Sequence, residues 1–181
     1  DIFTNEERQY IALNPNPNVL VFAGSAPLQY TDKNGNLLGI SKQVLDEIAL
    51  ISGFEFNYTI VESVEDGLRN MPADIVAGVS PNYAEQLWPN MALSEPYLYT
   101  STVLYMRSAL DPKDLQDKKY AMIKNTAIPE GVPLDNVLYF DTREACLTAV
   151  DRGIADYGHG NIYSVMYYTV QNGYKNLITI P

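Results

Sequence analysis

The chain has 181 residues, 46% of them apolar and 19% charged, which is enough apolar mass for a packed core in one domain or two small lobes. A net charge of −10, from 22 acidic against 12 basic residues, argues against nucleic acid or an anionic membrane surface as partner, since both need a basic face. Cys146 is the single cysteine, so no disulfide framework and no thiolate metal site is expected, and no apolar run approaches the ~18 residues of a membrane span.

Thr4 with Glu7 is a capping-box pair and Phe3 is placed as its staple, predicting a short helix to Ile11 that ends at Asn14-Pro15-Asn16-Pro17. Val19 to Ala23 reads as a strand, followed by a loop over 24–30 and a turn at Asp32-Lys33-Asn34-Gly35-Asn36. A helix from Ser41 to Ser52 has Val44, Leu45, Ile48 and Ile51 as its expected buried stripe and Gly53 just past its end. Residues 54–60 alternate as a strand with one covered face does, and Ser63 with Asp66 caps a helix ending at Arg69. Ala73 to Ala77, closed by Gly78, reads as a buried parallel strand; Ser80, Pro81 and Asn82 then open a short helix to Leu87. A strand over 100–106 follows.

Beyond Met106 the pattern begins again. Asp111-Pro112 predicts a short helix, with strands at Lys119 to Ile123 and Val137 to Phe140. Asp141 with Glu144 is expected to cap a helix whose buried stripe is Cys146, Ala149 and Val150, stopped by Gly153. Ala155-Asp156-Tyr157 then echoes Ala73-Asp74-Ile75, each after a short helix, which reads as an internal duplication of topology. Asn161 caps a last helix to Gln171, and Leu177 to Ile180 is a last strand. The expected fold is α/β with two βα lobes, residues 1–105 and 106–181, hinged by the strand around Tyr99 to Ser108.

Several stretches carry a family resemblance: Ala73-Asp74, Gly78-Val79-Ser80, Tyr83-Ala84-Glu85, Leu93-Ser94-Glu95-Pro96-Tyr97, and the earlier Ala26-Pro27-Leu28-Gln29-Tyr30. Over most of residues 3–107 the chain resembles the solute-binding proteins of bacterial amino-acid uptake, family 3, and the Venus flytrap sensor domains related to them. The Thr4-to-Arg8 helix before the first strand resembles the sensor branch. The resemblance implies a two-lobed, type II periplasmic-binding-protein-like fold. It also implies a return strand and helix after the last strand, so a second lobe ending early is expected to leave an uncovered edge and to favour self-association.

What such a domain does is implied by the same resemblance: an extracytoplasmic sensing domain of a membrane-bound signalling protein, of histidine-kinase or diguanylate-cyclase type, tethered through segments outside this chain. The alternative is a soluble solute-binding component of an uptake system. The family clamps a ligand's carboxylate with an arginine where this chain has Glu85, its ammonium with an aspartate where this chain has Asn161, and stacks an aromatic where this chain has Ser25. Ser80, with its hydroxyl and adjacent N–H groups, Lys124 and Thr126 remain, with Tyr30 and Tyr83 as neighbours and Tyr157 or Tyr163 beside them. Ser80 and Asn161 are expected to face each other across one cleft. Glu85 inverts the charge facing the ligand, so a neutral or basic small molecule is expected rather than an amino acid in the usual pose, with Lys124 or Arg107 as the other source of charge.

Catalysis has no positive support. His159 is the single histidine and lacks a motif-placed nucleophile, and Cys146 falls on a buried stripe. No Gly-rich phosphate motif occurs, and neither a metal nor a cofactor is expected.

Overall fold

The computed structural model describes residues 2–181. The first lobe is built in the order α1 (Asn5–Leu13), β1 (Asn18–Phe22), β2 (Gly24–Ser25), β3 (Gln29–Thr31), β4 (Leu37–Leu38), α2 (Ile40–Ser52), β5 (Asn57–Val61), α3 (Val64–Arg69), β6 (Ile75–Ala77) and α4 (Pro81–Leu87). The second contains β7 (Thr102–Arg107), β8 (Tyr120–Ile123), a 3₁₀ turn (Leu134–Asn136), β9 (Val137–Phe140), α5 (Arg143–Asp151), β10 (Tyr157–Asn161), α6 (Ile162–Asn172) and β11 (Leu177–Ile180).

The first lobe's main sheet is parallel with order β5-β1-β6. Its middle strand is covered on both faces, so it is apolar from Val19 to Phe22 rather than alternating. Val19 and Val21 point to a cluster with Ala23, Leu37 and Leu45; Leu20, one step out of phase, points to Val61 and Trp88. The second lobe's sheet runs β11-β7-β10-β8-β9. Here Val103 and Tyr105 of β7 enter one core with Cys146, Leu147 and Val150 of α5, while Met106 enters the other with Tyr120 and Met122.

The duplication read from the sequence has a structural basis. In the second sheet β9-β8-β10 repeats the parallel order β5-β1-β6, with β7 and β11 added antiparallel at one side. Asp74 takes its backbone N–H to the Asn18 carbonyl (2.9 Å) and accepts the Asn18 N–H on its carboxylate (2.8 Å). Asp156 does the same with Lys119 at 2.8 and 2.8 Å. Each aspartate therefore locks the start of the middle strand of its lobe's parallel trio, at Asn18 of β1 and at Lys119 just before β8, to the strand beside it.

Five expectations are corrected. The loop over 24–30 contributes β2 and β3 to a small antiparallel sheet with β4. Asp111-Pro112 forms a turn, not a helix: the Asp111 side chain accepts the Lys113 N–H (2.9 Å), which competes with helical bonding. The cap of α5 is Thr142, whose hydroxyl accepts from Ala145 N–H (3.1 Å), so Asp141 lies one residue outside the helix. On α2 only Ser41 and Leu45 are buried, and Ile48 and Ile51 are 42% and 56% exposed because the small sheet meets the helix along a narrow face. The strand expected as the hinge, β7, pairs along its length within the second sheet, and the chain passes between lobes in the irregular segment before Thr102.

A polar knot anchors that passage. Ser41, 2% exposed, donates to Gln29 Oε1 (2.9 Å) and lies 2.7 Å from the Tyr97 hydroxyl; a serine has one proton, so Tyr97 is the donor of the second bond. Gln29 Nε2 in turn donates to the Gly78 carbonyl (3.2 Å). Gly78 has φ +84°, and a Cβ there would sit 2.8 Å from the Gln29 amide carbon and 2.9 Å from the Phe22 carbonyl, so glycine is required.

Candidate functional site

Parallel strands of both lobes end on one cleft, where open α/β sheets place their ligand sites. The first lobe presents Phe22 at the end of β1, Ser25, Glu62 after β5, Val79 after β6, and Tyr83 and Trp88 of α4 and its C-cap. The second presents Ile123 at the end of β8, Thr126, and Arg143 at the first position of α5. They line a cavity of about 70 Å³. A wider outer groove beside it runs between Glu65, Leu68 and Arg69 of α3 and Lys124, Asn125 and Tyr139 of the second lobe.

Arg143 is the cation of the inner cavity, and the sequence reading did not single it out. Its Nη1 donates to the Tyr105 hydroxyl (3.3 Å), and no carboxylate pairs with it among the described residues. Two glycines of β10 make its space. A Cβ on Gly160 would lie 3.0 Å from Arg143 Nε, and one on Gly158 would lie 2.4 Å from the Tyr105 hydroxyl. Their alternate spacing puts both on one face of the strand. A Gly-His-Gly run inside a strand was therefore the available signal, since such glycines mark a close approach by another group.

The groups around Arg143 stay neutral. Burial pushes the Tyr120 phenol up to about 12 even though the Arg143 charge pulls the other way, and burial raises Tyr105 further still. His159 is lowered, first by burial and then by Arg143, and its Nδ1 lies 3.0 Å from the Tyr120 hydroxyl. The Cys146 thiol, fully buried, is raised by burial and so is not a nucleophile. Trp88, 7% exposed, has a buried indole N–H with no hydrogen-bond acceptor. Among the described residues no group of three His, Cys, Asp or Glu side chains is placed to hold a metal ion.

The residues singled out from sequence are distributed unevenly. Ser25, Tyr83 and Thr126 line the inner cavity, and the Thr126 hydroxyl donates to the Ile123 carbonyl (2.6 Å). Lys124 lines the outer groove and pairs with Asp141 at 3.2 Å. Glu85 is exposed on α4, outside the cavity wall, so the charge at the cavity is the Arg143 cation and not the carboxylate expected there. Ser80 is exposed and caps α4 by accepting from Tyr83 N–H (3.4 Å). Asn161 caps α6, accepting from Tyr163 N–H (2.9 Å), and its Nδ2 donates to Thr100 Oγ1 (2.9 Å). Ser80 and Asn161 make no hydrogen bond to one another. Arg107, the other cation considered, pairs with Asp156 at 3.1 Å in the second lobe. Tyr30 packs on Tyr167 of α6 across the lobes, with ring centroids 5.8 Å apart.

A second interlobe contact is tighter. The Tyr168 hydroxyl donates to the Gly24 carbonyl (3.0 Å) and accepts the Ala26 N–H (3.1 Å), joining α6 to the β2–β3 loop. Ala26 is 2% exposed and packs with the second lobe's core rather than the first's.

No protein-family model matches the chain. It is 30% identical over 118 residues to the sensor protein EvgS of Escherichia coli K12, covering 64% of this chain and 10% of EvgS. It is 25% identical over 177 residues to the virulence sensor protein BvgS of Bordetella pertussis, covering 92% of this chain and 14% of BvgS, so it spans only a small part of the length of these relatives. The solved periplasmic VFT2 domain of BvgS superposes with a TM-score of 0.80 at 26% identity, over 97% of this chain and 79% of that one. An ancestral arginine-binding protein bound to glutamine shares the fold, with a TM-score of 0.75 at 16% identity over 92% of this chain and 78% of that one. The chain has the two-lobed Venus flytrap fold of the type II periplasmic-binding proteins and is similar to the sensor proteins EvgS and BvgS.

Proposed function

We propose that this chain is the ligand-sensing domain of a membrane-bound bacterial signalling protein of the histidine-kinase type, and that a small solute held between the lobes sets the closure that is passed on as the signal. The observation that carries the reading is the cavity lined from both lobes, with the lobes themselves joined by Tyr168. A group that touches both walls favours the closed arrangement by its differential affinity for it, which is what hinge closure around a ligand requires. Likeness to the sensor proteins EvgS and BvgS supports this reading over a soluble component of an uptake system. Binding and closure need no chemistry of this domain, and tethering to the membrane belongs to other segments of the parent protein.

The test is a transplant of this chain in place of the VFT2 domain of BvgS, with signalling output read in the presence and absence of Tyr168→Phe. Output that responds to the substitution supports the reading. Output that is identical with and without the interlobe bonds contradicts it.

A further inference from the structure

We propose that the outer groove closes on itself: α3 of the first lobe docks on β9 and the turn after β8 of the second, seating Leu68 on Tyr139 and pairing Glu65 with Lys124. The inference goes beyond the sensing reading, because it concerns residues outside the inner cavity and needs no ligand.

Each wall presents a compact contact face. Glu65, Leu68 and Arg69 stand at i, i+3 and i+4 of α3, so they share one side of that helix. On the other wall the Lys124 N–H donates to the Phe140 carbonyl (2.9 Å), which holds Lys124 beside Tyr139 of β9. Asn125 follows with φ +62°, a left-handed turn that asparagine tolerates. Leu68 and Tyr139 are 42% and 45% exposed on opposite walls of one groove of about 680 Å³. Apolar side chains on the two sides of a gap gain by burial when the gap closes.

The charges match as well. Arg69 is held within α3 by Glu65 at 3.3 Å and by Asp66, so two carboxylates and one guanidinium leave this wall one negative charge. Among the described residues Lys124 is the charged side chain by which the second lobe lines the groove; its partner Asp141, at 3.2 Å, does not line it. Every one of these groups is at least 47% exposed, so each present pair is weak and readily exchanged. No hydrogen bond or ion pair crosses the outer groove among the described residues, whereas Tyr168 already joins the lobes at Gly24 and Ala26. The outer groove is therefore the side left free to close. An apolar centre with a complementary charged rim is the make-up of a docking interface, and the partner it fits is the facing lobe. Docking there reaches the inner cavity. A Cβ on Gly67 would lie 2.2 Å from the Phe22 ring, so α3 and that wall residue move together, and Thr126 is bonded to Ile123 in the turn that carries Lys124.

The test measures the distance between spin labels at Glu47 of α2 and Lys113 of the second lobe in the 181-residue chain, with no ligand added. It is taken from ~0.01 M to ~1 M sodium chloride, over which the screening length falls from ~30 to ~3 Å. Docking predicts a wild-type distance that lengthens as salt rises. Glu65→Lys and Lys124→Glu should each lengthen it at low salt, and the two substitutions together should bring the short distance back. The double reversal is decisive, because it leaves the Glu65–Arg69 and Lys124–Asp141 pairs broken and restores only the pair across the groove. Leu68→Ser, which leaves the charges in place, should lengthen the distance at every salt concentration. A wild-type distance independent of salt, or a double reversal no shorter than either single variant, overturns the proposal. Should a reversal variant fail to fold, the salt dependence of the wild type decides by itself. The transplant test of the sensing reading uses none of these variants, so the two readings fail separately.

Discussion

Tyr168 of α6 and Ala26 of the β2–β3 loop are joined across the lobes, the Ala26 nitrogen lying 3.1 Å from the phenol oxygen it donates to, while the phenol donates its own hydrogen bond to the Gly24 carbonyl. The phenol thereby satisfies an acceptor of the two-residue strand β2 and a donor of the residue that follows it. Tyr168→Phe keeps the ring in its core and removes both bonds, leaving a buried N–H unpaired. A loss of about 1–3 kcal/mol in unfolding free energy is expected, read by urea denaturation. No measurable loss would show that the lobes are held by apolar contact alone.

The glycines of β10 rank a second pair of variants. Gly158→Ala puts a methyl 2.4 Å from the Tyr105 hydroxyl and 3.0 Å from the Ala121 carbonyl, against a fully buried side chain that cannot move aside. Gly160→Ala meets Arg143 Nε at 3.0 Å, a group at the cavity edge with more freedom. Overpacking costs about 1–3 kcal/mol, and Gly158→Ala is expected at the upper end with Gly160→Ala below it. Thermal unfolding of the two variants checks the order.

Stability should fall with acid through His159. Its folded-state pKa lies below the ordinary histidine value because burial and the Arg143 charge both oppose protonation. The unfolded chain then binds more protons than the native one, so the contribution is complete above about pH 6.5 and is lost as the pH falls below it. His159 is the only histidine, so the slope between about pH 7 and 5.5 should flatten in His159→Gln. An unchanged slope would assign the acid sensitivity to carboxylates.

Ser41 carries a fourth prediction. Ser41→Ala leaves the amide oxygen of Gln29, 4% exposed, without its partner, while Tyr97, 48% exposed, can turn its hydroxyl to water. The expected cost is about 1–3 kcal/mol, measured by urea denaturation. Faster amide exchange in the segment around Tyr97 should accompany it, because the knot ties the passage between lobes to α2.

Much of this architecture was legible because local chemistry dictates it. Thr4 with Glu7, Ser63, Ser80 and Asn161 each cap the helix they precede, and Asp74 and Asp156 mark the same place in two repeats. The site was harder to read. Arg143 follows a cap residue, where an arginine ordinarily reads as a solvated helix start; its inward course depends on the gaps at Gly158 and Gly160, which lie on another element, β10. Trp88 carries no motif in the sequence; in the fold its ring packs against Phe22, centroids 5.6 Å apart, and its N–H is buried without an acceptor. Glu85 was given a cleft position by motif alignment, yet α4 turns it to solvent and presents Tyr83 and Leu87 instead. The small sheet of β2, β3 and β4 escaped because strands of two or three residues are made by their tertiary partners and not by their own pattern.

The most direct measurement of lobe closure is the distance between spin labels at Glu47 of α2 and Lys113 of the second lobe, both exposed, with Cys146 buried and out of reach of the label. Sensing by closure predicts a broader, longer distribution in Tyr168→Phe than in wild type. One narrow distribution shared by wild type and Tyr168→Phe, unmoved by solute, would mean that the two lobes form a single rigid body and would contradict the account.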